Sequence, residues 1–309
     1  MKVFIAGGAG FIGSFLKKKY SDVLVYDIQT DASHDVRNPI KNEYTPDVIY
    51  NLAAIHKTPG HEDVEYFRTN ILGAENVCQF ARDKNVSTIV FTSSIAPYGS
   101  SEETKYEHSL PTPNTPYGIS KTIAEEIHKR WQAEDPSYRK LIILRPGIVF
   151  GKNEGGNFTR LFDSLSRKVF MYPGRNDTKK ACIYVKDLVN SMHKMQNELP
   201  PGVHLFNMCY PNPNSIKEIV DTICEVTGVR SPSIVIPSIL IKTAASVLKI
   251  ISDITGINLI GIHPDRVKKL MISTNISGEK LSETNYKLEF SLEGAILDWY
   301  KMNENTGLK

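Results

Sequence analysis

The feature that most constrains the fold is a glycine-rich loop, GGAGFIG (7–13), which lies between a short apolar run and a helical pattern. Gly7, Gly10 and Gly13 have G-x-x-G-x-x-G spacing. Glycine permits a tight turn, lets the backbone approach a pyrophosphate, and allows a helix to pack closely on a strand. The following helix would present its partial positive charge to the phosphates. The loop therefore predicts a strand–loop–helix unit that binds a dinucleotide, and no Gly-Lys-Ser/Thr follows to indicate a P-loop.

Short apolar runs alternate with helical patterns through the first half of the chain. The runs predicted as buried strands are KVFIAG (2–7), DVLVYD (22–27), DVIYNLAA (47–54), TIVFTSS (88–94) and LIILRPG (141–147). Helical stretches lie between them, among them ILGAENVCQFARDK (71–84) and YGISKTIAEEIHKRWQAE (117–134). This alternation predicts an α/β fold with a Rossmann-type, doubly wound parallel sheet, which binds ligands beyond the carboxyl ends of its strands.

The alternation stops after about residue 150. The later patterns are a loop and helix in GKNEGGNFTRLFDSLSRK (151–168), strands in ACIYVKDL (181–188) and HLFNMCYP (204–211), and a helix in SIKEIVDTICEVTG (215–228). We expect residues 1–154, with about 186–209, to form the dinucleotide-binding domain. Residues 155–185 and 210–309 would form a smaller substrate-binding lobe that closes over the ligand edge of the sheet.

The second predicted strand ends at an acidic residue, Asp27. A carboxylate at this position can accept hydrogen bonds from both ribose hydroxyls of NAD, and it would repel the additional phosphate of NADP. No arginine lies beside it in YDIQTDAS (26–33). The sequence therefore favours NAD over NADP.

Composition narrows the class of protein and its partners. The chain has 309 residues, 41% of them hydrophobic and 23% charged, which is typical of a globular protein with a full core. A net charge of only +3, without a long Lys/Arg run, argues against a nucleic-acid partner. No run of about 20 apolar residues indicates a membrane span, and the spaced glycines followed by KKKY (17–20) argue against a signal peptide.

The four cysteines, Cys78, Cys182, Cys209 and Cys224, form no CxxC pair and no cluster with metal-ligand spacing. This pattern indicates reduced thiols that fill the core of a cytoplasmic protein. We therefore expect no metal site.

A set of motifs spans nearly the whole chain. They are GGAGFIGS (7–14), Asp27, DVRN (35–38), NLAA (51–54), TN (69–70), FTSSIAPYG (91–99), TPYGISK (115–121), RPGIVFG (145–151) and IYVKDL (183–188). This set resembles the extended short-chain dehydrogenase/reductase family, in particular its NAD-dependent nucleotide-sugar epimerases, dehydratases and reductases. The motifs are specific for the fold and the cofactor, but they say little about the substrate.

The TPYGISK motif places Tyr117 and Lys121 one turn apart on one face of a helix. A free tyrosine has a pKa of about 10, and a nearby ammonium and the positive nicotinamide ring both favour its phenolate. The resemblance implies that Tyr117 is the general base and acid at a sugar hydroxyl. It also implies that Lys121 assists Tyr117 and holds the nicotinamide ribose, that Ser94 hydrogen-bonds the reacting oxygen, and that hydride moves between the sugar carbon and the nicotinamide. The alternative interpretation of the Tyr117–Lys121 pair is a solvated helix face.

The resemblance also implies which residues contact the cofactor. These are Gly7, Gly10, Phe11, Ile12, Gly13, Asp27, Asp35, Val36, Leu52, Ala53, Ala54, Asn70, Tyr117, Lys121, Pro146 and Ile148. Asp35 and Val36 would meet the adenine, and Ala53 and Ala54 would line the nicotinamide side.

On the substrate side, the resemblance implies contacts from Ser94, Asn157, Lys180 and Arg266. Asn157 is equally well interpreted as a helix cap, because it precedes FTRLF (158–162). Lys180 stands where the family usually has an arginine that grips a diphosphate, and a lysine lacks the bidentate fork. Arg160, Arg175 and Arg266 are alternatives for that grip, and each is otherwise a surface charge.

Two apolar residues, Ile95 and Ala96, follow Ser94 and narrow the chemistry. Family members that dehydrate the sugar carry an Asp-Glu pair here, and those that epimerise at C3 and C5 carry a cysteine at the position of Ala96. Neither apolar side chain transfers protons. The expected function is therefore a nucleotide-sugar epimerase, acting at C4 through a transient 4-ketone. The alternatives are a dehydrogenase or reductase of a sugar or of an apolar, steroid- or lipid-like alcohol, and a non-enzymatic NAD-binding protein.

The helical regions 71–84 and 117–134 carry apolar positions beyond one core-facing stripe, notably Ile123, Ile127 and Trp131. Relatives in the family pair these two helices with their copies in a partner. We therefore expect a two-fold symmetric homodimer.

The segment PSILIKTAASVLKIISDITG (237–256) is mostly apolar and carries a single polar stripe made of Lys242, Ser246, Lys249 and Asp253. One interpretation is a helix packed on the core of the smaller lobe. The other is a surface that meets a lipid or a lipid-linked substrate.

Overall fold

A computed structural model of the protein describes residues 1–56, 60–240 and 271–309. Its strands are β1 (Lys2–Ala6), β2 (Asp22–Tyr26), β3 (Val48–Asn51), β4 (Thr88–Thr92), β5 (Ser101–Lys105), β6 (Lys140–Pro146), β7 (Ile148–Phe150), β8 (Tyr172–Pro173), β9 (Lys179–Lys180), β10 (Cys182–Tyr184), β11 (Gly202–Met208), β12 (Asn214–Ser215), β13 (Val235–Ile236) and β14 (Thr274–Ile276). Its helices are α1 (Phe11–Leu16), α2 (Asp63–Asp83), α3 (Pro116–Ala133), α4 (Asn157–Ser166), α5 (Val185–Glu198), α6 (Ile216–Thr227), α7 (Glu279–Ser282) and α8 (Leu292–Met302).

Six strands form the main sheet in the order β11-β6-β4-β3-β1-β2, and every neighbouring pair is parallel. β2 pairs with one side of β1 and β3 pairs with the other side, so the strand order reverses between β1 and β3. Crevices at such reversals are where open α/β sheets bind ligands. The predicted Rossmann-type sheet is therefore confirmed, and each of the five predicted strands of the first half is present in it.

The two faces of the main sheet are covered by different helices. Along β1, Val3 and Ile5 belong to one apolar cluster, whereas Phe4 and Ala6 belong to a second cluster that contains side chains of α2 and α3. The first cluster extends to α5 and into the C-terminal part of the chain. Strands buried on both faces read as continuous apolar runs, which is why the sequence signal for this sheet is strong.

Local signals set the ends of two predicted helices. α3 begins after Thr115, whose side chain accepts a hydrogen bond from the Gly118 N–H, with a proline at the first helical position. α6 begins with a capping box between Ser215 and Glu218 and ends at Gly228 in the left-handed conformation, with φ of 73°. Both helices agree with the expected spans.

One expected strand was wrong over half of its length. Within residues 181–188, only Cys182–Tyr184 is a strand, and the chain turns into α5 at Val185. Asp187 lies in the first turn of α5, and its buried carboxylate accepts hydrogen bonds from the backbone N–H groups of Glu289 and Phe290. An acidic residue in the first turn favours a helix start, and the contact also attaches the C-terminal segment to α5.

The later part of the chain adds smaller sheets to the main one. A four-stranded sheet has the order β12-β9-β14-β5, and two-stranded ribbons join β10 to β7 and β13 to β8. The expected division into a cofactor domain and a substrate lobe stays a prediction, although β11 does return to complete the main sheet. In the part of the chain that the structure describes, no helix has the length and apolar character needed to cross a bilayer.

Only residues 237–240 of the apolar segment 237–256 fall inside the described part of the chain. Its predicted polar stripe, at positions 242, 246, 249 and 253, lies outside the described residues, as does Arg266.

Candidate active site

Most of the residues expected to bind ligands lie at the carboxyl edge of the main sheet. The glycine loop follows β1, Asp27 follows β2, Leu52 and its neighbours follow β3, Ser94 follows β4, and Pro146 ends β6. Because parallel strands end at the same edge, these segments, which are far apart in sequence, lie together. The edge therefore holds the candidate site.

The three glycines of the loop differ in their backbone φ angle and in the space available for a Cβ atom. Gly7 has φ of 76°, and a Cβ on it would lie 2.6 Å from the Ala53 nitrogen; a Cβ on Gly13 would lie 2.6 Å from the Gly8 Cα. Gly10 has an ordinary φ of −67°, and a Cβ there would meet only the Gly7 oxygen, at 3.3 Å. The fold itself thus requires glycine more strongly at Gly7 and Gly13 than at Gly10.

Gly10 is the residue that precedes α1, and no side chain caps this helix. The first N–H groups of a helix have no hydrogen-bond partner within the helix and carry partial positive charge. Because glycine has no side chain at the cap position, an anion can come close to these N–H groups. Phe11 and Ile12, in the first turn, are half-buried against the sheet. Binding of a diphosphate at this loop stays a prediction.

Asp27 joins the end of β2 to the glycine loop. One carboxylate oxygen accepts a hydrogen bond from the Ala9 N–H at 3.0 Å, and the other accepts one from the Gln29 N–H at 2.9 Å. Each oxygen has a second lone pair for another donor. Asp27 can therefore support the loop and still accept ribose hydroxyls, which is consistent with NAD at this edge.

Asp35 and Val36, expected at the adenine, follow β2 in the chain. The Asp35 carboxylate forms a fork with the Arg37 guanidinium, with contacts of 2.6–2.9 Å. This pairing lowers the pKa of Asp35 below its usual value. Val36 is buried against Gly73, and its carbonyl oxygen accepts a hydrogen bond from Asn76. Both residues thus have partners within the chain, and their contact with adenine stays a prediction.

Asn70 is buried and connects the loop after β3 to α3. Its side-chain amide exchanges two hydrogen bonds with the backbone of Ile55, at 3.0 and 3.2 Å, and also donates to the Ser120 hydroxyl at 2.8 Å. The Ser120 hydroxyl donates in turn to the Tyr117 carbonyl oxygen. Asn70 therefore holds the segment that contains Leu52, Ala53 and Ala54 next to the start of α3.

Tyr117 and Ser94 are brought together from α3 and the segment after β4. Both are half-buried, and the Ser94 side chain lies close enough to affect the pKa of Tyr117. Burial raises the pKa of Tyr117, and the Ser94 side chain acts in the opposite direction. The roles of Ser94 and Tyr117 at a substrate oxygen stay predictions.

Lys121 is 1% exposed, so the interpretation of the TPYGISK pair as a solvated helix face is wrong. Its ammonium donates to the Thr92 carbonyl oxygen at 2.7 Å and lies 4.3 Å from the centre of the Phe91 ring. Burial lowers the pKa of Lys121 to about 7, and the negative charge of Glu125 acts in the opposite direction. The charge of Lys121 is therefore sensitive to its surroundings near neutral pH.

A buried ion pair lies one turn beyond Lys121 and has no counterpart among the residues inferred from the sequence. Glu125 accepts hydrogen bonds from the Arg145 guanidinium at 2.6 and 2.9 Å and from the Ser93 hydroxyl at 2.5 Å. The signal that could have identified it is spacing, because Tyr117, Lys121 and Glu125 occupy one helix face at four-residue intervals.

The ion pair continues into a chain of contacts that reaches the edge strand β11. The Arg145 guanidinium lies 4.6 Å from the centre of the Tyr98 ring, and the Tyr98 hydroxyl donates to Asn207 at 2.8 Å. Asn207 also donates to the Ser277 carbonyl oxygen. The segment that carries Ser94 is thus fixed from both sides.

His128 lies below Lys121 and is held as one neutral tautomer. Its Nδ1–H donates to the Ala124 carbonyl oxygen at 2.7 Å, which leaves Nε2 to accept from the Asn51 amide at 3.2 Å. The ring stacks on Phe91 at 4.1 Å. Burial, assisted by the charge of Lys121, lowers the pKa of His128 to about 4.

Two of the other expected substrate residues, Asn157 and Lys180, have partners within the chain. Asn157 is exposed at the first position of α4, and its side-chain oxygen accepts a hydrogen bond from Arg160 at 3.0 Å, so its interpretation as a helix cap is wrong. The Lys180 ammonium donates to the Ile272 carbonyl oxygen at 2.7 Å, and burial lowers its pKa to about 8. Arg175 pairs with Glu102 at 2.5 Å. Their contacts with substrate stay predictions.

The position of Asp27 generates a prediction about cofactor binding. We expect Asp27→Ala to weaken NAD binding by at least tenfold, because the substitution removes both the ribose acceptor and the support of the glycine loop. Calorimetric titration with NAD and NADP would measure this. Asp31→Ala, which changes an exposed carboxylate of the same turn, is the matched control and should bind NAD normally. Equal or tighter binding of NADP by the unmodified protein would contradict the assignment.

The neutral state of His128 generates a prediction about acid stability. Between pH 6.5 and about 4, the unfolded chain binds a proton at this histidine while the folded protein does not, so the free energy of unfolding falls as the pH falls. This group should cost the protein about 2 kcal/mol between pH 7 and pH 4.5. Urea unfolding at both pH values should show that His128→Gln removes this loss, whereas His108→Gln, at an exposed position, keeps it. The same pH dependence in His128→Gln and the unmodified protein would show that His128 is not its source.

Comparison with known proteins places these features in a family. The family model described as "NAD dependent epimerase/dehydratase family" matches residues 3–209. The N-acetyl-alpha-D-glucosaminyl-diphospho-ditrans,octacis-undecaprenol 4-epimerase of Escherichia coli O157:H7 is 26% identical over 307 residues, which cover 95% of this chain and 92% of that protein. The UDP-glucose 4-epimerase of Yersinia pestis is 25% identical over 281 residues and covers 74% of this chain and 83% of that one.

A solved structure gives the same result for the fold. The UDP-glucose 4-epimerase of Thermus thermophilus in complex with NAD matches 99% of this chain and 100% of its own, with a TM-score of 0.74 and 20% identity. The family model covers more than half of the chain and includes the glycine loop, Ser94, Tyr117 and Lys121. The chain therefore belongs to the NAD dependent epimerase/dehydratase family, within the extended short-chain dehydrogenases/reductases, and is an enzyme that uses NAD.

Proposed function

We propose that the protein epimerises a sugar at C4, through a transient 4-ketone, while the sugar is attached to a diphosphate. The observation that carries this proposal is the set of side chains around Tyr117: a hydroxyl at Ser94, an ammonium at Lys121, and two apolar residues, Ile95 and Ala96, where a second proton-transfer group would be needed for dehydration or for C3/C5 epimerisation. Curated relatives that match the chain are named as 4-epimerases, which supports the same reaction.

The proposed roles are those that the family resemblance implies for these side chains. Tyr117 takes the proton of the C4 hydroxyl and returns it to the carbonyl oxygen, and Ser94 hydrogen-bonds that oxygen in both directions. In this proposal the Lys121 ammonium, one turn further along α3, would favour the phenolate form of Tyr117 by its charge. NAD, when bound at the sheet edge, supplies the acceptor and the donor of hydride.

Ile95, the residue after Ser94, is apolar and cannot transfer a proton, which supports a reaction that needs only one proton-transfer group. Ile95 packs against a small buried cluster of Tyr98, Ala181, Cys209 and Ile276, and its N–H donates to the Pro146 carbonyl oxygen at 3.2 Å. It is therefore part of the frame that holds Ser94.

The group attached to the sugar diphosphate has two candidates. A nucleoside is the first, because two relatives that match about three quarters of the chain are named as UDP-glucose 4-epimerases. A polyprenol is the second, and it is favoured by the undecaprenol-linked substrate in the name of the Escherichia coli relative, which matches 95% of the chain. A dehydrogenase of a sugar or an apolar alcohol remains the alternative reaction, and it differs by accumulating reduced cofactor.

The reaction can be tested by NMR in deuterated water with a UDP-sugar and, separately, a polyprenyl-diphosphate sugar. We expect inversion at C4 without incorporation of deuterium and without net reduction of NAD, because the same hydride returns to the other face of the ketone. Deuterium at C3, C5 or C6 would contradict the interpretation of Ile95 and Ala96. Stoichiometric formation of NADH would support the dehydrogenase instead.

Removal of the Tyr117 hydroxyl should abolish proton transfer without disturbing the fold. We expect Tyr117→Phe to lower turnover by about two to four orders of magnitude while NAD affinity stays within a few-fold of normal. Steady-state kinetics and NAD titration would measure both quantities. Tyr138→Phe, at a tyrosine that is 46% exposed, is the control and should turn over normally. A Tyr117→Phe enzyme with near-normal turnover would exclude Tyr117 as the general acid–base.

We also propose a homodimer formed through α2 and α3. One of its expected contributors was wrong: Trp131 is fully buried within the chain, and Ile127 packs against the same cluster. The remaining support is apolar surface on the two helices, where Leu72 is 40%, Ile119 38% and Ile123 39% exposed. Apolar side chains on neighbouring helices are suited to a two-fold, isologous contact.

The assembly can be tested by light scattering at micromolar protein. We expect the mass of a dimer for the unmodified protein and a monomer for Ile123→Glu, because a charge at a two-fold interface meets its own copy. Leu110→Glu, at a residue that is 79% exposed and outside both helices, should remain a dimer. A monomeric mass for the unmodified protein would rule the dimer out.

A cytoplasmic location completes the proposal. It is supported by four cysteines that are all buried and free.

A further inference from the structure

A buried carboxylate, that of Glu125, lies one turn beyond Lys121 on α3. Residues four positions apart on a helix share one face, with Cβ atoms about 5–6 Å apart. Both residues are 1% exposed, so water does not separate their side chains. Opposite charges at this separation attract each other far more strongly in a buried site than at a protein surface.

The end of β4 brings the charged ends of these two side chains together. The Lys121 ammonium donates to the Thr92 carbonyl oxygen at 2.7 Å. The Glu125 carboxylate accepts a hydrogen bond at 2.5 Å from the hydroxyl of Ser93, which is the next residue of the chain. Because the two side chains contact consecutive residues, the negative charge of Glu125 lies close to the ammonium.

The other groups around Lys121 leave Glu125 as the carboxylate that faces it. Among the ion pairs formed by the described residues, none includes Lys121, whereas Glu125 pairs with Arg145. The side chain of β4 that contacts the ammonium, Phe91, carries no charge. In the part of the chain that the structure describes, the titratable and charged side chains around Lys121 are Tyr117, Glu125 and His128 on α3, Tyr66 on α2 and Arg145 on β6.

We propose that Glu125 is a positioning residue of the reaction, whose carboxylate keeps the Lys121 ammonium charged one turn from Tyr117. The inference rests on the proposed function, in which a charged Lys121 favours the phenolate of Tyr117. Burial lowers the pKa of Lys121 to about 7, and the Glu125 charge opposes this effect. Without that carboxylate, burial would leave most Lys121 side chains uncharged at pH 7.

The alternative is that Glu125 serves only as the partner of Arg145 and holds α3 against β6. Both roles predict damage when Glu125 is replaced, so loss of activity alone does not distinguish them. The charge of Lys121 does distinguish them, because it depends on the negative charge of Glu125 and not on the shape of its side chain.

NMR titration of Lys121 tests the inference without any measurement of turnover. The full-length protein, saturated with NAD, would be isotopically labelled at its lysine ε carbons, whose resonances move when the ammonium loses its proton. The Lys121 resonance is the one that disappears in Lys121→Met. We expect Glu125→Gln to lower the midpoint of this titration by about one pH unit or more, because a nearby opposite charge is lost. An unchanged midpoint would overturn the proposal.

Two further variants separate charge from structure. Glu125→Asp keeps the negative charge and shortens the side chain, so its Lys121 midpoint should stay near that of the unmodified protein. Glu126→Gln, the matched control, removes the neighbouring carboxylate, whose side chain is 61% exposed, and should leave the midpoint unchanged. Equal shifts in Glu125→Gln and Glu125→Asp, or in Glu125→Gln and the control, would show that the charge of Glu125 is not the cause.

Glu125→Gln leaves the buried Arg145 guanidinium without its counter-charge, which is costly for the fold. If this variant does not fold, Glu125→Gln/Arg145→Gln takes its place, because removal of both partners leaves no uncompensated charge. Its Lys121 midpoint should also be lowered, since Lys121 loses the carboxylate on its own helix face. A midpoint that is unchanged or raised in this double variant would refute the proposal.

The pH dependence of turnover supplies the second readout. The rate of C4 epimerisation should fall at high pH as Lys121 loses its charge, and in Glu125→Gln this fall should begin lower by the same shift as the NMR midpoint. A midpoint that moves while the pH profile stays in place would exclude Glu125 from the reaction. Absence of epimerisation in the unmodified protein would contradict the proposed function, and the lysine titration would still decide whether Glu125 keeps Lys121 charged.

Discussion

The buried ion pair between Glu125 and Arg145 is the contact on which the geometry of the site depends. The side chains of Glu125 and Arg145 are 1% and 3% exposed, so neither charge is stabilised by water. A buried pair is weak evidence for stability, but loss of one partner leaves an uncompensated charge and costs about 3–5 kcal/mol. The pair therefore fixes α3 against β6, and through Ser93 it also fixes the end of β4. Tyr117, Lys121 and Ser94 lie on the elements that this contact joins.

The electrostatic arrangement at the site has two levels. One turn from Tyr117 along α3, Lys121 is held by a carbonyl oxygen and an aromatic face, and its charge depends on these surroundings. One layer deeper, His128 is kept neutral and hydrogen-bonded at both ring nitrogens. A neutral histidine at that depth adds no positive charge beside the ammonium, whereas a protonated one would make Lys121 more costly to charge.

Much of the fold and part of the site could be predicted from the sequence, for a physical reason. Strands of a parallel sheet are buried on both faces and read as continuous apolar runs, and a glycine loop or a Tyr-x-x-x-Lys pair is a local pattern. Contacts between distant segments carry no such signal. The role of Arg145 depends on its contact with Glu125, which lies 20 residues earlier in the chain. Trp131 was expected at an interface between copies, but it is buried within the chain, because periodicity identifies a helix face without identifying what covers it. Asn70 was expected at the cofactor, and that contact stays a prediction; the sequence did not indicate that Asn70 also holds a loop against α3.

The return of β11 to the main sheet has a consequence for how the chain is made. β6 ends at Pro146, and its outer partner, β11, begins only at Gly202. During synthesis, a ribosome that has released the chain only as far as α5 presents β6 as an apolar edge with unpaired backbone groups. Such edges are templates for association between chains. In the interval between these two strands, a nascent chain therefore exposes an edge that a chaperone could cover.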